Sequence, residues 1–323
     1  MNQIKTIGVI TSGGDAPGMN AAVRAVVRTG LHYGYKMMLI KHGYTGLING
    51  EIEEADFTSV GDTLQRGGTF IGTSRCPEFT TEDGQRRAAQ MARVFDIDAI
   101  VVVGGDGSYK GAQALSKQGI AVVGIPGTID NDIASTDYTI GFDTAMNTAL
   151  DAIDKLRDTS LSHDRCSVVE VMGRSAGYIA AQVGMAAGAD VVLVPEEDYD
   201  IDRDVIGPLI ETRNKGKRHF IVVVAEGVGM TEQLSEAITK YTGVEARPTI
   251  LGHIQRGGTP TLRDREMASR MGYYAVETIR AGRVNRIIGF RENRLVDYDI
   301  DEALAMSKSM DPMDVEISKI LAQ

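Results

Sequence analysis

The chain has 323 residues, 43% hydrophobic and 24% charged, with a formal net charge of −10, a length that accommodates two domains of ordinary size. Negative charge, no tryptophan and only 6% aromatic residues argue against a nucleic-acid or anionic-membrane partner. No apolar run approaches the roughly 18–20 residues of a membrane span.

The opening MNQIKTIGVITSGGD lacks the basic and apolar regions of a secretory leader, so a cytoplasmic chain is expected. Cys76 and Cys166 have no CxxC spacing and read as structural thiols. Six short, β-branched runs then recur: 4–10, 99–104, 120–125, 167–172, 190–194 and 220–225. Each is apolar throughout rather than alternating, the pattern of parallel strands covered on both faces. Between them lie helical patterns, such as the stripe Phe142, Ala145, Met146, Ala149, Ile153 and Leu156. The expected fold class is α/β, with two doubly wound, Rossmann-like lobes and mainly parallel sheets. One lobe is expected over 1–141 plus about 255–305, and the other over 142–254 plus about 306–323. Helices are expected around 299–308 and 312–321.

Ligands in such folds bind beyond the carboxyl ends of the strands, so the 37 glycines matter where they cluster after apolar runs. TSGGDAPGMN (11–20) follows the first run and opens a helix near Pro17. Gly13 and Gly14 let backbone amides approach a phosphate there. GGDGS (104–108) brackets a carboxylate with glycines at a strand end, a pattern suited to Mg²⁺ beside a phosphate chain. In PGTIDNDI (126–133), Asp130 and Asp132 project the same way if the backbone is extended. With Asp106 they can then surround a metal and a hydroxyl, as phosphoryl transfer requires. Each turn taken alone also fits a plain strand-to-helix connection. Single cations, Arg75, Arg165, Arg174, Arg247, His253 and Arg256, sit among these turns and match phosphate oxygens.

Taken together, TSGGDAPGMN, RGGTF, GGDGS, PGTIDNDI, DYTIGFDTA through RDTSLSH, VVEVMGRSAG, VAEG and LGHIQRGGTP resemble bacterial ATP-dependent 6-phosphofructokinases, in the family's order from residue 4 to about 290. The resemblance implies transfer of the terminal phosphate of ATP to the 1-hydroxyl of fructose 6-phosphate, with Asp130 as base and Thr128 beside the moving phosphoryl group. It also implies Gly14, Arg75 and Arg174 as transition-state partners, and Asp106 and Asp132 near Mg²⁺. Cys76, Gly105, Asp106, Gly107 and Ser108 would line the ATP site with Gly14 and Arg75. Ile129, Met172, Gly173, Glu226, His253 and Arg256 would join Thr128, Asp130 and Arg174 around fructose 6-phosphate. Arg165 and Arg247 match arginines that reach that site from a neighbouring subunit, which implies a homotetramer with shared active sites.

A family effector site for ADP or phosphoenolpyruvate matches Arg24, Arg28, Arg157, Gly188, Asp190, Lys215, Lys217 and His219. Two departures, Phe57 in place of arginine and Asp190 in place of glutamate, imply weakened effector control. Asp164 and Arg165 match an acidic and basic pair that exchanges places in some relatives. Pyrophosphate-using relatives carry Asp at position 107 and Lys at position 127; Gly107 and Gly127 therefore favour ATP, on the argument that missing side chains leave room for the nucleotide. A pyrophosphate-dependent enzyme and an inactive sugar-phosphate sensor are the rival readings. Retention of Asp106, Asp130, Arg75 and Arg174 argues against the sensor, because a sensor needs a phosphate clamp but no base.

Overall fold

The computed structural model describes residues 4–322. In chain order its elements are β1 (Thr6–Thr11), α1 (Met19–His32), β2 (Lys36–Ile40), α2 (Gly43–Asn49), β3 (Ile52–Ala55), α3 (Glu82–Val94), β4 (Ala99–Gly104), α4 (Asp106–Lys117), β5 (Ala121–Pro126) and α5 (Phe142–His163). There follow β6 (Cys166–Val171), α6 (Tyr178–Ala186), β7 (Val191–Leu193), α7 (Gly207–Asn214), β8 (Phe220–Ala225), α8 (Thr231–Thr242) and β9 (Ala246–Ile250). The chain closes with α9 (Leu262–Arg280), β10 (Arg286–Arg291), β11 (Arg294–Asp299), α10 (Ile300–Ala305) and α11 (Pro312–Leu321). The architecture is α/β with mainly parallel sheets.

Within the described residues two compact units emerge, one of 4–129, 133–144 and 256–308, the other of 130–132, 145–255 and 309–322. In the first, seven strands take the order β11-β10-β5-β4-β1-β2-β3. Its inner pairs are parallel, while β2–β3 and β10–β11 are antiparallel. β1 and β4 are fully buried runs, as expected of strands covered on both faces. Tyr109, Leu115, Ile100, Val102 and Ile120 anchor one core cluster beside this sheet. The order reverses between β1 and β4, since the chain runs from β1 outward to β2 and then returns to β4 on the other side. A crevice therefore opens beyond the carboxyl ends of those two strands.

The second unit holds the parallel sheet β7-β8-β6-β9. Its core gathers Phe220, Val222, Val224, Val168, Leu209, Leu234 and Ile238. Along α5, Phe142, Ala145, Ala149 and Ile153 are buried as the apolar stripe requires, with Met146 and Leu156 half-buried.

Candidate phosphate-handling site

In the first unit the glycine turns meet at the β1–β4 reversal. Ser12 donates its amide to Val103 O at 2.9 Å, tying the first turn to the end of β4. A Cβ at Gly104 would lie 2.4 Å from Ser108 Oγ and 2.5 Å from Ser12 O, so only glycine lets the two turns close on each other. Asp106 is the first residue of α4, with Gly105 at its N-cap. Its exposed carboxylate stands where the helix dipole favours negative charge. The same amides and dipole suit a phosphate.

Arg256 stands against the first turn, its Cζ 3.3 Å from where a Cβ on Gly14 would lie. Arg75 and the half-buried Cys76 lie on a loop strapped to this turn by Thr73 Oγ1, which donates to Gly13 O at 2.8 Å. Thr11 Oγ1 donates to Gly72 O at 2.9 Å. Asn20, 1% exposed, donates to Arg66 O and Gly67 O and accepts the Phe70 amide at 2.8 Å. Thr11 and Asn20 stand inside the first motif, yet nothing in their type marks them as loop straps.

Gly107 faces open space, with no atom within 4 Å of an added Cβ. Gly127 differs from expectation. Its Cβ would meet Val103 Cγ1 at 3.0 Å and Met19 Cε at 3.2 Å, so glycine there reflects close packing rather than room left for a ligand. Thr128 is half-buried and Ile129 buried. Asn131 lies between Asp130 and Asp132 at φ 53°; the backbone is not extended, and the alternation that would aim both carboxylates alike is broken. Among the described residues no group of three or more His, Cys, Asp or Glu forms a ready metal cage. Mg²⁺ needs none, because it keeps waters and phosphate oxygens and takes one or two carboxylates.

In the second unit, the turn after β6 carries Met172, Gly173 and Arg174. Gly173 and Arg174 have φ 148° and 59°, and a left-handed arginine persists only where neighbours hold it. Glu226 does so by accepting the Arg174 amide. The buried Gln255 accepts the Met172 amide at 2.8 Å. Gln255 belongs to the 3₁₀ turn Gly252–Arg256, which also presents the exposed His253. Sequence reasoning passed over Gln255 because its neighbours are the charged residues.

Arg165, immediately before β6, and Arg247, on the neighbouring β9, meet on one carboxylate. Arg165 Nε donates to Glu245 Oε2 at 2.7 Å, and Arg247 Nη2 to Glu245 Oε1 at 2.6 Å. Both guanidinium groups hold the Glu245 carboxyl below its ordinary value. Asp164 pairs instead with Arg218 at 3.4 Å.

Of the residues matched to an effector site, Arg24 and Arg28 share α1, where burial and the neighbouring Arg28 lower Arg24. In the second unit, Asp190 is 7% exposed, accepts the Ile221 amide at 2.9 Å and pairs with Lys217. Its carboxylate is thus committed inside the fold, not turned outward toward a metal. Lys215 pairs with Glu211 at 2.9 Å, and Arg157 donates to Ala187 O. Gly188 has open space beside it and His219 is half-buried. Phe57 is 52% exposed.

A family model described as phosphofructokinase matches residues 6–279. An ATP-dependent 6-phosphofructokinase of Clostridium botulinum strain Hall is 57% identical over 320 residues, which cover 99% of this chain and all of that protein. Its counterpart in strain Alaska E43 is 52% identical over 321 residues, again covering 99% of this chain and all of the relative. The crystal structure of Pichia pastoris phosphofructokinase in the T-state aligns with a TM-score of 0.89 and 37% identity, covering 94% of this chain and 36% of the longer yeast chain. A pyrophosphate-dependent phosphofructokinase from Marinobacter aquaeolei shares the fold with a TM-score of 0.86 at 21% identity, covering 99% of this chain and 91% of that one.

Proposed function

The chain belongs to the phosphofructokinase family, and from that premise we propose that it is an ATP-dependent 6-phosphofructokinase, moving the terminal phosphoryl group of ATP to the 1-hydroxyl of fructose 6-phosphate. The products are fructose 1,6-bisphosphate and ADP, in the committed step of glycolysis. The observation that carries this reading is the meeting of two glycine turns and the N-terminus of α4 beyond β1 and β4, with the Arg256 guanidinium against Gly14. Bare amides and a helix dipole form a cradle for a phosphate chain, and Arg256, assigned below to the sugar phosphate, adds positive charge at its edge.

The first unit is the ATP-binding lobe and the second the fructose 6-phosphate lobe. Gly14, Arg75, Cys76, Gly105, Asp106, Gly107 and Ser108 receive ATP, and the open space beside Gly107 favours a nucleotide over pyrophosphate. Asp106 and Asp132 are the carboxylates that would hold Mg²⁺, which supplies charge neutralisation along the phosphates. Asp130 takes the proton from the sugar 1-hydroxyl as that oxygen bonds to the terminal phosphorus; the bond to the bridging oxygen breaks and ADP leaves. Thr128 and the Gly14 amide steady the moving group, and Arg75 and Arg174 offset its charge. Ile129, Met172, Gly173, Arg174, Glu226, His253 and Arg256 hold the sugar phosphate.

Arg165 and Arg247 serve a neighbouring subunit's sugar phosphate in a homotetramer. Their solvent-exposed pairing with Glu245 is screened by water and weak, so a phosphate can take the place of the carboxylate at small cost. The enzyme works in the cytoplasm. Its response to ADP and phosphoenolpyruvate through Arg24, Arg28, Arg157, Gly188, Asp190, Lys215, Lys217 and His219 is weakened. The engagement of Lys217, Lys215 and Arg157 within the chain supports that attenuation.

The test is initial-rate phosphorylation of fructose 6-phosphate by purified protein with Mg²⁺, comparing ATP with pyrophosphate. Turnover with ATP alone is expected; turnover with pyrophosphate alone overturns the donor, and none with either overturns the enzyme.

A further inference from the structure

Asp264 lies in the first turn of α9, is 0% exposed, and has no part in the chemistry described above. A carboxylate so deeply buried is costly unless its oxygens are satisfied. Asp264 Oδ1 accepts from Tyr138 Oη at 2.5 Å and from the Gly141 amide at 2.8 Å. Oδ2 accepts from the Thr144 amide at 2.8 Å and from Thr144 Oγ1 at 2.5 Å. The Thr144 hydroxyl is itself oriented, because it accepts the Thr261 amide at 3.0 Å and so has its proton left for Asp264. Burial pushes the carboxyl up from its ordinary value while these same donors pull it back. Two backbone amides can only donate, so the pocket is built for an acceptor on both oxygens.

The held segment, 138–144, is the returning end of the loop that begins at β5. Its outgoing end is tied alongside: the Ile140 amide donates to Pro126 O at 2.9 Å, and Gly127 bridges to Ile140. The loop between these ties carries Thr128, Ile129 and Asp130. Gly141 packs so closely that an added Cβ would lie 3.2 Å from Ile129 Cγ2 and 2.7 Å from Ala16 Cβ. Gly18, at the N-cap of α1, similarly packs on Ile140 and on the Cβ of Asp264. One carboxylate thus fixes the strip on which both the first glycine turn and the Thr128–Ile129 stretch rest.

We propose that Asp264 is a positioning residue for phosphoryl transfer, holding the Gly141 and Thr144 amides so that the Thr128–Ile129 stretch keeps its reactive place against the first glycine turn. This rests on the kinase reading above. Small displacements of reacting groups cost far more in turnover than in binding, so the signature is a split between the two.

Asp264→Asn keeps the volume but turns an NH₂ toward two of the donors. Measured well below its own melting temperature, it should lower kcat at least tenfold, with the half-saturating ATP and fructose 6-phosphate concentrations changed less than threefold. Tyr138→Phe removes one donor and leaves the carboxylate, and should show the same split at two- to fivefold; it carries the test if Asp264→Asn does not fold. A kcat within twofold of the parent in the folded variants, with only melting lowered, makes Asp264 a plain structural brace and overturns the proposal. Parallel loss of kcat and both affinities does the same. A parent protein that fails to phosphorylate fructose 6-phosphate is a separate outcome, and it defeats the kinase reading on which the proposal stands.

Discussion

Asn131 turns the chain between Asp130 and Asp132 at φ 53°, and that single left-handed residue separates two carboxylates that strand alternation would have aimed alike. The work proposed for the pair is likewise unequal, a proton acceptor at Asp130 and a metal partner at Asp132. A base acts in the transition state, so Asp130→Ser should reduce kcat about 10²- to 10⁴-fold while leaving the half-saturating substrate concentrations within a few-fold. Steady-state kinetics check this, and a variant that loses affinity while keeping kcat would remove Asp130 from the role. The residues flanked by glycine or matching a family motif were legible in the sequence. The roles of Gln255, although it stands inside LGHIQRGGTP, and of Asp264 were not, because a buried amide or carboxylate looks on paper like any polar residue on a helix or turn. Only the converging donors reveal them.

At the scale of elements, the six continuous apolar runs became β1 and β4 to β8 within one or two residues at each end. The strands that pattern did not mark lie outside the covered centre. β3, β9 and β11 are edge strands; β9 contains Arg247 and Pro248, with half-buried or exposed positions throughout, so no apolar run announces it. β2 is apolar but rich in methionine rather than β-branched residues, and β10 is bounded by arginines. The expected helices near the end of the chain correspond to α10 and α11.

The turn after β3 carries an element-scale prediction. Asp56 accepts from the Thr58 and Ser59 hydroxyls and amides, which draws its carboxyl from 3.8 down to about 2. A folded value below the unfolded one means the stabilisation is present above pH 3.8 and fades as pH falls toward 2. Asp56→Ala should therefore lower the melting temperature at neutral pH, and melting curves across acid pH should show the gap to the parent closing over that window. A gap independent of pH would contradict the assignment.

For the whole molecule, the α/β class followed from apolar runs alternating with amphipathic helices, and the family from eight separated motifs in order. Composition set the problem those motifs solve. A chain with net charge −10 repels polyanions, so it must hold ATP and a sugar phosphate with local amides, helix ends and single arginines. The proposed shared-site assembly rests only on Arg165 and Arg247, since nothing in one chain's pattern states where its exposed arginines are used.

Every residue role proposed here depends on the transfer of one phosphoryl group from ATP to the 1-hydroxyl of fructose 6-phosphate. The most direct measurement follows the group itself, by incubating the purified protein with Mg²⁺, fructose 6-phosphate and ATP radiolabelled in its terminal phosphate. The label should appear on the carbon-1 phosphate of fructose 1,6-bisphosphate, in step with ADP formation. Label recovered only as free phosphate, or left on ATP, would contradict it.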